Sequence, residues 1–400
     1  MDVQPFRALR PTRDKAHLVA TRSYLTYEEE KLKDKLLYNP FSFLQVIHPD
    51  PFGKSSASGS ARYKKVQSRF NEFREAGIIC MEETPAFYVY QQLHEQRAFA
   101  GVVATASVSD YNKGHVMRHE HTLPQREEMF TSYLSETGFN AEPVLLSHRP
   151  LPDLNQMLDE IMTERPDYEF TTTDRVTHLL WPVTSNERIE GIKKCYAQVE
   201  RLYIADGHHR IASSALLCER SPNEVNQRFM AFLMDEQELH LSPFSRIVRR
   251  GSETKDEVFR SLSEYFDCAP SNGPRELSAG EFQLYTQGEW WDMKLKERSS
   301  KPEMEELSAA QFSRYVLAEV FSISDERTDP RMTFLPDTDL GAGMKEHVDA
   351  SGGSFGFRMP RPSVEDIKSV ADADRVMPPK STYVEPKLRS GLLVYSLEDE

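Results

Sequence analysis

Apolar positions in this chain change period repeatedly, and the changes outline its elements. After Thr26, glutamates at 28, 29 and 30 precede Leu32, Leu36 and Leu37 on one helical face, and Asn39-Pro40 supplies a stop. Tyr63, Val66, Phe70 and Phe73 repeat at helical spacing, and Gly77 suits the C-terminal cap of that helix. Residues 86–92 and 100–109 are β-branched and aromatic runs around a polar connection, the pattern of paired strands. Helix and strand then alternate: helix 123–136, strand 143–147, helices 154–162 and 186–199, strand 201–205, helix 211–217, strand 228–234. Beyond Gly251 the pattern gives a polar helix to 266, strands at 282–285 and 290–295, a helix at 309–321 and a last strand at 391–395. Residues 5–11 read as a short extended piece, and 40–60 and 299–309 as loops. The expected fold is α+β (mixed α/β), with one domain over 1–250 and a second α+β domain over 251–400.

The densest chemistry lies at Asp206-Gly207-His208-His209-Arg210, between a predicted buried strand and a helix rich in small residues. A helix start leaves backbone N–H groups unpaired and presents the positive end of the helix dipole, so anions collect there. Gly207 removes the Cβ that would block a ligand or a left-handed turn. Arg210 and the imidazoles offer donors suited to phosphate oxygens. Asp206 would repel bare phosphate but suits a bridging Mg²⁺, which takes one or two carboxylates plus phosphate oxygens. The bland alternative is an Asp-Gly turn with surface histidines.

Two further clusters compete for a role. In an extended Arg118-His119-Glu120-His121-Thr122, His119 and His121 would share one face and Glu120 the other, presenting metal ligands or phosphate donors. The helical zinc pattern spaces its histidines four apart and is not matched. Met377-Pro378-Pro379-Lys380-Ser381-Thr382 places a stiffened backbone before a cation and two hydroxyls, or is a surface loop. Gly53-Lys54-Ser55 imitates the end of a P-loop, but that motif needs glycine where the chain has His48.

A formal charge of −14 argues against a nucleic-acid binder, which must neutralise phosphates with a basic face. No stretch approaches the roughly 20 apolar residues of a membrane span, and residues 1–22 carry Arg and Asp where a signal peptide needs an apolar core. A cytoplasmic location and no membrane partner are expected. Cys80, Cys195, Cys218 and Cys268 are too scattered for a disulfide framework or zinc site and should be reduced and mostly buried. The acidic Glu398-Asp399-Glu400 reads as a solvated tail.

The residues 5–11 start, His119-Glu120-His121-Thr122, Tyr203-Ile204-Ala205-Asp206-Gly207-His208-His209-Arg210 and Met377-Pro378-Pro379-Lys380-Ser381-Thr382 together resemble the prokaryotic domain-of-unknown-function family 1015. The Asp-Gly-His-His-Arg core also resembles the ParB/sulfiredoxin-like superfamily, which includes nucleotide-dependent free-serine kinases. Sulfiredoxin chemistry needs a cysteine where this chain has His208, and a ParB-type partition protein needs a basic DNA-binding domain. The kinase resemblance implies a ParB/sulfiredoxin-like nucleotide-binding core and phosphoryl transfer from ATP or ADP to a small hydroxylated metabolite such as serine. It places Asp206, His208, His209 and Arg210 at the nucleotide and substrate site, with Asp206 on Mg²⁺. Gly207 and Arg210 would hold phosphates, and Lys380, Ser381 and Thr382 would reach the site from the second domain. The general base is a glutamate for which Glu28, Glu29, Glu30 and Glu120 all compete, with His119 and His121 as alternative acceptor-orienting groups. A metal-dependent hydrolase using His119, His121, Asp206 and His208, and a non-catalytic nucleotide-binding regulator, remain as other readings, and a homodimer is left open.

Overall fold

The β-branched and aromatic runs pair as their alternation requires. The computed structural model of the chain describes residues 1–23, 26–48, 59–296 and 307–398. Residues 49–58 of the loop expected at 40–60, with its Gly53-Lys54-Ser55 sequence, residues 299–306 of the loop expected at 299–309, and Asp399 and Glu400 lie outside the described residues. The chain separates into two compact units, one formed by Met1–Leu239 with Pro386–Glu400, the other by His240–Glu385. The break near 250 expected from the sequence thus falls after Leu239. The reason is local: His240–Ser242 and Tyr383–Glu385, the two ends of the second unit, pair with each other as an antiparallel ladder.

The first unit is built on a nine-stranded mixed sheet. Its strands are β1 (Val3–Gln4), β2 (Phe87–His94), β3 (Arg97–Ser107), β4 (Val116–Met117), β5 (Val144–His148), β6 (Tyr168–Thr171), β7 (Val176–Val183), β8 (Leu202–Asp206) and β9 (Arg228–Asp235). They run in the order β4-β8-β5-β9-β3-β2-β7-β6, with β1 pairing on β3. The β2–β3 hairpin closes tightly, His94 facing Arg97, while β9 runs parallel to β5 and antiparallel to β3. Val102, Ala104, Leu146, Ile204, Ala231 and Leu233 bury one continuous core on this sheet. Each fully buried aliphatic side chain contributes about 1.5–3 kcal/mol relative to exposure. A smaller four-stranded sheet joins Ala8–Pro11, Ile79–Met81, Val394–Ser396 and Phe139–Asn140. The β6–β7 hairpin is absent from the sequence expectation, and part of the segment read as loop at 40–60 forms the short helix Leu44–Ile47, which buries Leu44 and Val46.

Helix α1 (Pro124–Thr137) begins with proline at its first turn and ends on Gly138 in the left-handed region. It packs on α2 (His208–Arg220), whose Ala212, Ser213 and Ser214 are small enough to let the two backbones approach, and Thr131 Oγ1 donates to the Ser213 carbonyl at 3.2 Å.

The second unit has a six-stranded antiparallel sheet in the order Phe266–Ser271, Glu289–Leu295, Glu281–Thr286, Phe355–Arg358, Phe244–Val248, Met332–Pro336. Its core gathers Val248, Phe266, Phe282, Leu284, Phe312 and Phe357. The helix Lys255–Tyr265 starts with a reciprocal capping box between Thr254 and Glu257. The helix expected at 309–321 begins as Ser308–Phe312 and continues as the π-helix Ser313–Ala318. The content is mixed α and β throughout, as the sequence pattern requires. No helix among the described residues is long and apolar enough to cross a membrane. The four cysteines are all free; Cys80 is exposed and the other three are half-buried, less enclosed than expected.

Candidate functional site

Strand β8 delivers Asp206 to the start of α2. Its register against β5 slips between Ile204 and Asp206, a bulge that turns the strand end and re-aims the last side chain. Gly207 then takes φ +105°, a backbone conformation that favours glycine, and a Cβ there would have to displace the Arg210 guanidinium end, 2.8 Å away. Gly207 is the N-cap of α2 and no side chain caps the helix, leaving its first amides to another acceptor.

The Asp206 carboxylate meets two cations through the same oxygen. Its Oδ2 lies 3.4 Å from Arg210 Nη2 and 3.5 Å from Lys387 Nζ, and the side chain remains 41% exposed. Burial alone would push its carboxyl up, but the Lys387 and Arg210 cations hold it below the ordinary value. Arg210 is less available than its sequence position suggests. Its Nη1 donates to the Pro143 carbonyl at 2.7 Å and lies 2.9 Å from Glu142 Oε1. The guanidinium therefore braces the loop before β5 as well as Asp206. Lys387 arrives from the C-terminal segment of the same unit.

The two histidines of the motif act as acceptors, which corrects the expectation that they serve as charged donors. The backbone N–H of His119 donates to His208 Nε2 at 3.4 Å, and that of Leu123 to His209 Nε2 at 3.2 Å. Each ring thus keeps its proton on Nδ1 and staples the 118–123 segment to the first turn of α2. His208 is 5% exposed, and its burial and the adjacent His119 ring drive its pKa well below the ordinary value. His119 meets it edge-to-face, with ring centroids 4.5 Å apart. Burial also lowers His119, to about 4, against the opposing pull of Asp206 and a hydrogen bond to the Ile204 backbone. Both rings are neutral at pH 7. His119 Nδ1 is buried and finds no hydrogen-bond partner.

Glu120 Oε2 stands 3.8 Å from the proton-bearing His208 Nδ1, and its side chain is 46% exposed. That is too long for a direct hydrogen bond but close enough to orient a carboxylate. His121 does not join this group. The 118–121 segment is irregular rather than a strand, so His119 turns inward while His121 faces solvent. Thr122 instead donates its hydroxyl to Glu127 in α1. Among the described residues no group of three or more His, Cys, Asp or Glu converges on a common metal position, so the four-ligand arrangement of His119, His121, Asp206 and His208 is not formed. A single carboxylate is compatible with Mg²⁺ if phosphate and water supply the rest. Asp206, a half-exposed carboxylate beside two cations, fits that limited role.

Glu142 and Lys387 are the pieces that sequence reasoning did not assign. Neither stands in a motif; each is brought in by a segment remote from residues 206–210. Glu28, Glu29 and Glu30 sit at the exposed start of the helix Glu29–Tyr38, where Glu28 pairs with Lys31 and Glu29 with Lys33. In the second unit, Lys380 takes φ +53° and lies 5.2 Å from the Phe244 ring centroid. Ser381 donates to the Pro378 carbonyl at 2.7 Å, which closes the turn. Thr382 is half-buried beside them.

Several solved structures share a distant likeness of shape with this chain. A free serine kinase in complex with AMP is 12% identical over 73% of this chain and 91% of that chain, with a TM-score of 0.39. SbnI with C-terminal truncation from Staphylococcus aureus is 14% identical over 74% of this chain and 90% of its own, with a TM-score of 0.41. A conserved hypothetical protein from Pyrococcus furiosus is 13% identical over 74% and 96%, with a TM-score of 0.38. No curated protein matches the sequence significantly. The family described as "Protein of unknown function (DUF1015)" matches residues 3–322, most of the chain, and the chain therefore belongs to it.

Proposed function

We propose that the chain is a nucleotide-dependent phosphotransferase whose phosphate site is the start of α2, and whose acceptor is a hydroxyl of a small metabolite such as free serine. The observation that carries this reading is one piece of geometry: an uncapped helix start behind a left-handed Gly207, beside a carboxylate held between Lys387 and Arg210. First-turn amides and the helix dipole would receive phosphate oxygens. Lys387 is the cation best placed to offset their charge, because Arg210 is occupied with Glu142 and Pro143. Bound Mg²⁺ would neutralise phosphate charge, with Asp206 as the residue that would hold it. Glu120, faced by neutral His208, suits the part of general base toward an acceptor hydroxyl. Phosphoryl transfer asks mainly for positioning and charge stabilisation, which such a set can supply.

Calorimetric titration with ATP, ADP and AMP, with and without Mg²⁺, tests the site on wild-type protein and on Asp206→Asn. Binding by the wild type that Asp206→Asn weakens at least tenfold supports the reading; no binding of any nucleotide by the wild type ends it. Phosphorus NMR with ATP, Mg²⁺ and hydroxy-amino acids then decides between a transferase and a sensor, since a sensor binds without producing a new phosphate resonance.

A further inference from the structure

A buried polar network in the first unit has no part in the chemistry above, yet it is built around the segment that carries Lys387. Arg389, whose side chain is 4% exposed, donates from Nη2 to Asp174 Oδ2 at 2.7 Å and to Thr172 Oγ1 at 3.2 Å. Its Nε donates to His178 Nε2 at 3.3 Å. That acceptor role places the His178 proton on Nδ1, which meets Tyr90 Oη at 2.7 Å. Asp174 is shared with Arg22, so two guanidiniums converge on one carboxylate.

The flanking residues are held with the same economy. Gln92 Nε2 donates to the carbonyl of Lys387 itself at 3.2 Å. Ser390 exchanges both backbone hydrogen bonds with Thr21, at 2.8 and 3.2 Å. Gly391 donates to the Ala141 carbonyl at 3.2 Å, one residue from the Glu142 that grips Arg210. The segment 386–389 lies outside helices and strands, yet it carries a guanidinium buried to this depth. Burying a charge is costly unless it is paired, and here Asp174, Thr172 and His178 accept from Nε and Nη2.

We propose that Arg389 is a positioning residue for the Asp206 site. It fixes the 386–390 segment, with Gln92, so that the Lys387 ammonium stands against the Asp206 carboxylate. The proposal deepens the phosphate-site reading and rests on it for its meaning, but its geometry can be tested without any nucleotide.

Site-resolved acylation of lysines in the full chain, followed by mass spectrometry, reads whether Lys387 remains in its ion pair. Arg389→Ala should speed acylation of Lys387 severalfold and leave exposed lysines of the first unit, such as Lys64, unchanged. Asp206→Asn should speed it similarly, and the double variant no further than the faster single one. Arg389→Lys, which can reach Asp174 but cannot also serve His178 and Thr172, should fall between. Gln92→Met, milder in its effect on folding, should give the same direction if Arg389→Ala does not fold. An unchanged Lys387 rate in Arg389→Ala or in the folded Gln92→Met protein, or a rise shared by all lysines, overturns the proposal. MgATP affinity measured on the same proteins separates the two ideas: wild type that binds no nucleotide removes the phosphate-site reading, whereas the labelling result still decides the positioning role.

Discussion

Two kinds of charged cluster in this protein are built in opposite ways: buried pairs in the second unit and the open Asp206 cluster in the first. In the second unit, Arg246 and Glu326 are 1% and 6% exposed and meet at 3.1 Å, while Arg358 and Asp337 are 5% and 1% exposed and meet at 2.9 Å. Arg246 also lies over the Phe312 and Phe334 rings and donates to the Phe244 and Pro379 carbonyls. In the first unit, Asp206, Arg210 and Lys387 are 41%, 20% and 39% exposed and meet at 3.4 and 3.5 Å. In a closed pair the two charges are spent on each other inside the protein and serve the scaffold, although Asp337 Oδ1 is left buried without a hydrogen-bond partner. An open cluster loses little when a contact is exchanged, and it keeps lone pairs and donors for something else.

The largest effect should come from opening a closed pair. Glu326→Ala leaves Arg246 buried without its carboxylate, and chemical denaturation should show a loss of about 3–5 kcal/mol. A loss below about 1 kcal/mol would place the pair in the open class and break the comparison.

Next is acid sensitivity in the first unit. His119 and His178 have pKa values pushed down by burial to about 4 and about 3, and His208 is driven well down by the same cause. Below an unfolded-state pKa of about 6.5 the unfolded chain binds protons that these folded rings refuse. Stability should therefore fall as pH drops from 6.5 toward 4, by up to about 1.4 kcal/mol per pH unit for each ring. Denaturation midpoints measured across that range would show it. A midpoint constant or rising toward acid would mean that the rings are not held neutral.

Gly207→Val should cost about 1–3 kcal/mol, because the backbone there is left-handed. It should also weaken nucleotide binding by displacing the first turn of α2. Asp206→Asn should be the mildest for stability, within about 1 kcal/mol, as expected for an open ion pair. Its effect should appear instead in the affinity for MgATP. A large stability loss without change in affinity would reassign Asp206 to the scaffold.

How much of this was legible in the sequence depends on how local each signal is. Residues 201–220 announce a strand, a left-handed glycine and a small-residue helix within one short window, and that is what forms. The β6–β7 hairpin escaped because Pro182 interrupts its second strand and Thr172, Asp174 and Arg175 read as an open polar stretch. In the structure Pro182 faces Tyr88 in the ladder, and Arg175 takes φ +61° at the turn. Within the site, the residue types of Asp206-Gly207-His208-His209-Arg210 were readable but their partners were not. Sequence gives the charge of Arg210 but not that Glu142 and Pro143 occupy it. It gives two imidazoles but not that both spend a nitrogen on backbone amides of residues 119 and 123. Lys387 lacks any motif, and only the fold brings it to Asp206.

The return of residues 386–398 to the first unit has a consequence for how the protein is made. On the ribosome, residues 1–239 emerge with the β8–α2 junction complete, but without Lys387, Arg389 or the Val394–Ser396 strand. The whole intervening unit must be translated before those pieces exist. Nascent chains therefore carry Asp206 without its lysine until residues 240–386 have been made, so a product truncated before Lys387 would contain the Asp206 motif in an unassembled form.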